Sequence, residues 1–399
     1  MYDPCGKDSR GLSIHELTLG VANLSARALE DCSSGGSGML DLAAHWLAKC
    51  RADHTQCSKV PNKSWYPTRL LDIRSEAVRL IETATEPPKG PYATLKQTKA
   101  EFLHGRPLHD FPPTHREALL AAKYLGIDYV WIDCYCILQS EDHGAAAGDK
   151  AYELSQMQHV YANSMLNIGA TGAEDAYSGC SGVRYRDGGP ERVRIENKIY
   201  QITDKCEKDP SMDLYKHAKL FTRGWVMQER LLAPRMLHLA GSQTFWECSE
   251  TRFANARFPG GLEQTAYPSS PGYPFCLQIG NFPPSLHPLL ASLESLEWNR
   301  LWRGVVERYS CLALSHVHED KFAAIGAVAE RLAKLNNDVY IAGLFKRFFC
   351  ADLCWSNEFG APRAKRWRAP SWSWASLNIL QHSKNTPSYP TARIIPVAL

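Results

Sequence analysis

The sequence predicts an α/β fold with a largely helical C-terminal extension, on three observations. A capped helical pattern begins at Thr114 and runs through Gly126 into the apolar run Tyr129-Val130-Trp131-Ile132. A second helical pattern, from about Asp149 to Asn163, leads into Met165-Leu166-Asn167-Ile168. From Leu289 to about Leu335 composition and period are mostly helical. A helix feeding a buried strand through a short turn is half of an α/β unit, and here the alternation recurs.

Composition sets the class. With 399 residues, 44% of them hydrophobic and 22% charged, the chain can build a large core without disulfides and is not of a disordered or fibrous kind. Lys plus Arg is 45 against 42 for Asp plus Glu, too small a bias for a nucleic-acid or anionic-membrane footprint, so no nucleic-acid partner is expected. The 13 cysteines are an odd number, and the first thirty residues lack a basic stretch followed by an apolar one. Reduced thiols, no structural disulfides and a cytoplasmic location are therefore expected. The most apolar stretch, Tyr129 to Leu138, is interrupted by Asp133 and falls short of the ~20 residues a spanning helix needs, so no membrane span is expected.

The elements follow in order. Residues 1–64 read as a small N-terminal segment, in which the Ser/Gly-rich stretch Ser33 to Gly38 is a flexible linker by composition and Met39 to Leu47 a helical run. Leu70 to Ile73 and Ala77 to Ile81 read as two short strands, closed off by Pro87 to Pro91. Thr114 followed by Glu117 has the form of a capping box, and Gly126 stands where the left-handed residue after a helix is wanted. The unbroken apolar run at Tyr129 predicts a strand buried on both faces. Val193 to Thr203 alternates around Asn197 as a half-exposed hairpin does, and Gln243 to Cys248 is a further aromatic strand. Seven prolines between Pro259 and Pro288 mark a long connection. Tyr340 to Trp355 reads as another helix, and Pro370 to Ser376 as an aromatic cluster without an element. The expected units are a segment over 1–64, an α/β domain over 65–255, a Pro-rich connection over 256–288 and a helical extension over 289–399.

Several side chains are candidates for chemistry. Asp133 follows a strand, and in open α/β sheets the carboxyl ends of strands are where ligands bind. It either orients a ribose hydroxyl or hydrogen-bonds the amides of the next turn. Cys136 is a thiol nucleophile or a small buried hydrophobe. Cys50, His54 and Cys57 are spaced to seat three metal ligands on a helix and its exit; a fourth would have to come from His45 or Cys32, and no metal is assigned. Trp225, Trp246, Trp372 and Trp374 read as core or interface aromatics. The sequence has no G-x-x-x-x-G-K-[ST], no G-x-G-x-x-G after a strand and no H-E-x-x-H, which removes kinase, P-loop, classical dehydrogenase and zincin readings.

Taken together the motifs resemble the fungal heterokaryon incompatibility (HET) domain family. The matching residues are His54 and Cys57 before Pro67-Thr68-Arg69-Leu70, then Pro91-Tyr92-Ala93-Thr94-Leu95, Leu125-Gly126, Trp131-Ile132-Asp133, Cys136-Ile137, Gln139, Met157 and Tyr161-Ala162-Asn163. Arg223, Trp225 and Gln228-Glu229-Arg230 resemble the family's second signature box; Tyr309-Ser310, Asp320-Lys321, Ala342-Gly343-Leu344 and Pro370 to Ser376 resemble segments that follow it. The resemblance covers about 46 to 376. It departs after Leu95, where the family continues with a Ser-Tyr-x-Trp-Gly box and this chain has Lys96-Gln97-Thr98-Lys99.

The resemblance implies a flavodoxin-like core with a mostly parallel sheet, because HET domains are similar to Toll/interleukin-receptor (TIR) domains. It also implies a role in non-self recognition and regulated cell death. Some TIR domains cleave NAD with a glutamate four residues after a helical tryptophan, the spacing of Trp225 and Glu229. Glu229 is then the catalytic carboxylate, with Asp133, Arg223 and Trp225 binding NAD as substrate. The other reading of Glu229 is a capped or ion-paired helix residue beside Arg223 and Arg230. The implied partners are a second copy of the chain or another fungal incompatibility protein. Two other functions stay open: a non-catalytic self-association module with a lost nucleotide pocket, and an accessory protein of a fungal secondary-metabolite pathway.

Overall fold

A computed structural model describes residues 12–17, 38–55, 57, 64–95, 105–138, 145–180, 191–195, 198–204, 218–241, 243–251, 254–255, 295–357, 361–378 and 394–396. The linker at Ser33 to Ser37, the Lys96 to Lys99 departure and the Pro-rich stretch from Pro259 to Pro288 lie outside them.

The described chain begins with strand β1 (Leu12–Leu17) and helix α1 (Gly38–Asp53), then β2 (Arg69–Asp72), β3 (Ala77–Glu82), β4 (Tyr92–Leu95) and β5 (Arg106–Pro107). Helix α2 (Pro113–Tyr124) leads to β6 (Tyr129–Ile132), and α3 (Ala145–Asn163) leads to β7 (Leu166–Gly169). The hairpin β8 (Glu191–Ile195) and β9 (Lys198–Asp204) precedes α4 (Gly224–Leu232), β10 (Arg235–Ala240) and β11 (Gln243–Cys248). The C-terminal part holds α5 (Ser295–Ser310) and α6 (Val317–Asn336).

An eight-stranded sheet carries the fold, in the order β11-β10-β7-β4-β6-β2-β3-β5. Its inner strands β10, β7, β4 and β6 are parallel, with Tyr92 opposite Tyr129, Ala93 opposite Leu166 and Met236 opposite Asn167. The outer pairs β11/β10, β6/β2, β2/β3 and β3/β5 are antiparallel. The expected mostly parallel sheet is therefore corrected to a mixed one in which antiparallel pairs outnumber parallel ones. The cause is topological. The neighbours β2/β3 and β10/β11 follow each other through short turns, and a short turn can join only antiparallel strands. A separate sheet, β1-β9-β8, is antiparallel throughout and contains the expected hairpin.

Every residue of β2, β4, β6 and β7 is buried. The crossover from β4 to β6 steps one way across the sheet and that from β6 to β7 steps the other way, past β4. Right-handed crossovers then place α2 and α3 on opposite faces, which is why β6 reads as an unbroken apolar run.

Gly126 ends α2 with φ +72°, as expected. The capping box does not form. Pro112 caps the helix and Pro113 opens it. Thr114 and Glu117 instead reach across the fold: Thr114 Oγ1 donates to the Asp175 carbonyl at 2.8 Å, and the Glu117 carboxylate accepts from the Cys180 amide at 2.7 Å.

One continuous core runs from Leu42 and Trp46 of α1 through the sheet to Trp302, Val328 and Trp374. Tyr340 to Trp355 is not the expected helix. Two short strands, β12 (Tyr340–Ile341) and β13 (Leu344–Phe345), form a tight hairpin around Ala342 at φ 44° and Gly343, followed by a short helix, Phe349–Asp352. The carbonyl of Gly343 accepts from the indoles of Trp302 at 3.1 Å and Trp374 at 3.0 Å. The aromatic cluster at the end of the chain is thereby fixed in the core, with Trp374 1% exposed.

Candidate functional site

Asp133 stands at the carboxyl end of β6 and opens a single helical turn, Asp133–Cys136. The chain leaves β6 and its neighbour β4 toward opposite faces, and such a point is where open α/β sheets hold ligands. Arg69 of β2 fixes this turn. Its guanidinium donates to the Cys136 carbonyl at 2.7 Å and to both oxygens of Asp149 at 2.6 Å, while Asp149 also accepts from the Leu138 amide at 3.1 Å. Asp133 accepts from the Cys134 amide at 2.8 Å, which is the turn-stabilising role open to it by sequence.

Arg223 caps α4, which carries Trp225, Glu229 and Arg230. Glu229 is buried and its helix packs on α3 and α6. The point of convergence is Tyr161 of α3, fully buried, whose hydroxyl has no hydrogen bond of ordinary geometry. Burial first, then the Glu229 and Asp133 carboxylates, push its phenol well above the usual range, while Arg223 pulls the other way. Three of the four residues singled out by sequence thus act on one buried hydroxyl. Tyr161 was legible only as part of a motif, and its place opposite Glu229 comes from helix packing.

Trp225 points elsewhere. Its indole donates to Asp320 Oδ2 of α6 at 3.2 Å, so it joins the site helix to the C-terminal helices. Gln228 does the same, accepting from the Ala327 amide at 3.2 Å.

Arg230 leaves the far side of α4. It makes a two-point contact with Glu247 of β11, at 2.9 and 3.1 Å, with both side chains buried. Burial draws both toward their neutral forms, Arg230 down to about 9 and Glu247 up, and the paired geometry offsets that cost. His238 lies 3.5 Å from Glu247 and accepts or donates at Thr171 Oγ1, 3.0 Å away. Burial, then the charge of Arg230, keeps His238 well below its ordinary range and so neutral.

Residues 83–229 match the family model described as Heterokaryon incompatibility protein (HET). This stretch of the chain is similar to the HET domain. No curated protein and no solved structure matches the chain. The matched stretch runs from the end of β3 to Glu229, and so contains Asp133, Tyr161, Arg223 and Trp225 while leaving Glu247 and His238 outside.

Cys136 has the surroundings of a small buried hydrophobe. It is wholly buried, and burial pushes its thiol up to about 12, so it stays protonated. Cys50, His54 and Cys57 do come together at the end of α1, and their ligand atoms and that of Cys248 all lie within 4.8 Å of one another. The fourth member comes from β11; the set contains neither His45 nor Cys32, the latter lying outside the described residues. Contact with Cys50 and Cys57 lowers the Cys248 thiol, and contact with Cys248, then Cys57, raises Cys50. Among the described residues no helix is long and apolar enough to cross a membrane.

Proposed function

We propose that this chain is a cytoplasmic fungal HET-domain protein of non-self recognition that promotes regulated cell death by cleaving NAD. The observation that carries the reading is the buried Glu229 on a helix that packs against α3, whose Tyr161 hydroxyl is buried without a hydrogen-bond partner. Two carboxylates and a phenol at a strand end suit a ribose, whose hydroxyls can donate to the former and accept from the latter. The TIR-like spacing of Trp225 and Glu229 supports the same assignment.

In the reaction the bond between ribose C1′ and the nicotinamide nitrogen breaks, and its electron pair leaves with nicotinamide, which becomes neutral. No general acid is needed. The Glu229 carboxylate stabilises the cationic ribose that develops, Asp133 and Tyr161 hold the ribose hydroxyls, and Arg223 offers a counter-charge to the diphosphate. Water adds at C1′ and releases its proton, giving ADP-ribose.

The test is nicotinamide release from NAD by the purified chain, beside Glu229→Gln, over a range of protein concentrations. Turnover that disappears in the variant supports the reading. Absence of turnover at every concentration, with native circular dichroism, overturns it.

A second reading is favoured by one observation: Glu229 is only 2% exposed. A carboxylate so enclosed suits a non-catalytic module in which α4 is a packing element and the protein acts by self-association or through another incompatibility protein.

A further inference from the structure

We infer that Cys50, His54, Cys57 and Cys248 bind one zinc ion that fastens helix α1 to the end of strand β11. Tetrahedral zinc with thiolate and imidazole ligands holds sulfur and nitrogen about 3.6 Å apart. Here His54 Nδ1 lies 3.7 Å from Cys57 Sγ and 3.3 Å from Cys248 Sγ. The three cysteines are wholly buried and His54 is half-buried. Three soft thiolates with one imidazole select zinc over hard cations, and four protein ligands leave no open position for a substrate. The site is structural.

The surrounding groups fit the charge. Zinc with three thiolates carries one net negative charge, and the buried Arg235 points its Nε at Cys50 Sγ from 3.1 Å. The amide of Thr251 donates to Cys248 Sγ at 3.2 Å. Donors to the ligating sulfurs are the outer contacts that thiolate–zinc sites rely on. The arrangement also explains how α1 stays on β11, where Trp46 packs against Trp246 with ring centres 6.4 Å apart. β11 is one of the two outermost strands of the large sheet, so the clasp ties α1 to the sheet's margin.

The experiment is the metal content of the full chain, purified without chelator and measured by inductively coupled plasma mass spectrometry. One zinc per chain is expected, and a protein loaded with cobalt should show the intense thiolate-to-cobalt absorption of a tetrahedral site. Cys248→Ser should lose about a third of that absorption, whereas Cys350→Ser, exposed and outside the cluster, should leave it intact. Arg235→Gln should keep the absorption but weaken zinc retention against a chelator about 10- to 100-fold. Should Cys248→Ser fail to fold, the zinc count and cobalt spectrum of the unaltered chain decide. Less than about 0.1 zinc per chain, or a disulfide between any two of the three cysteines in the reduced preparation, overturns the proposal.

Discussion

The indole of Trp225 donates to Asp320 Oδ2 across 3.2 Å, joining the helix that carries Glu229 to the C-terminal helix α6. The stretch similar to the HET domain ends at Glu229, yet its last helix is held by residues about ninety positions further on. Trp225→Phe keeps the ring and removes the donor, which should lower stability by about 1 kcal/mol in urea unfolding. Asp320→Asn should cost a similar amount, and the double variant should cost less than the sum of the two.

Arg230→Met should be far more damaging. It strands Glu247 as an uncompensated buried carboxylate, at a cost of about 3–5 kcal/mol. The folded-state pKa of Glu247 then lies above its unfolded value, so the folded form binds the extra proton. Stability is greatest at low pH and falls as pH rises through that range. Unfolding at pH 5 and pH 8 should show the deficit growing at the higher pH, and Arg230→Met with Glu247→Leu should recover most of it.

His115 sets an acid limit. It is buried, its Nδ1 lies 2.7 Å from the Tyr135 hydroxyl, and burial lowers its pKa to about 4. Between about 4 and the ordinary 6.5 the unfolded chain binds a proton that the folded one does not. Stability should be complete above pH 6.5 and fall by about 3 kcal/mol as the pH drops through 4. His115→Gln should flatten that part of the curve, as read from urea midpoints at pH 4.5 and 7.

Gly172 admits no side chain. A Cβ there would lie 2.0 Å from the Cys180 carbonyl oxygen and 2.7 Å from the Gly241 amide nitrogen. Both are backbone atoms tied to each other by a 2.7 Å hydrogen bond, so neither can yield cheaply. Gly172→Ala should cost about 3 kcal/mol or more, lowering the thermal midpoint or the soluble yield.

How much of this could be read from sequence depended on range. Tyr129 to Ile132 announced a buried strand because burial on both faces needs an apolar residue at every position, and that constraint is local. Gly126 was equally legible. Thr114 and Glu117 satisfied the capping pattern by spacing, but their partners at Asp175 and Cys180 lie some sixty residues away and outcompeted the cap. Four-residue strands carry no mark of direction, so the mixed sheet was hidden. The site residues Asp133, Arg223 and Glu229 were named by motif, whereas their shared neighbour Tyr161 emerged from packing of α3 on α4. Cys50, His54 and Cys57 could be grouped by spacing along one helix, but nothing local points to Cys248.

Because α1 docks on β11, the first described helix of the chain finds its place only when the last strand of the large sheet has left the ribosome. At about 5–20 residues per second the intervening stretch takes roughly 10–40 s to synthesise. Throughout that interval the apolar face of α1, with Leu42, Trp46 and Leu47, is on the nascent chain without its seat. Its folding in the cell is therefore delayed at this seam, though the chain beyond residue 248 is still being made, and the nascent chain should lean on chaperones until residue 248 emerges.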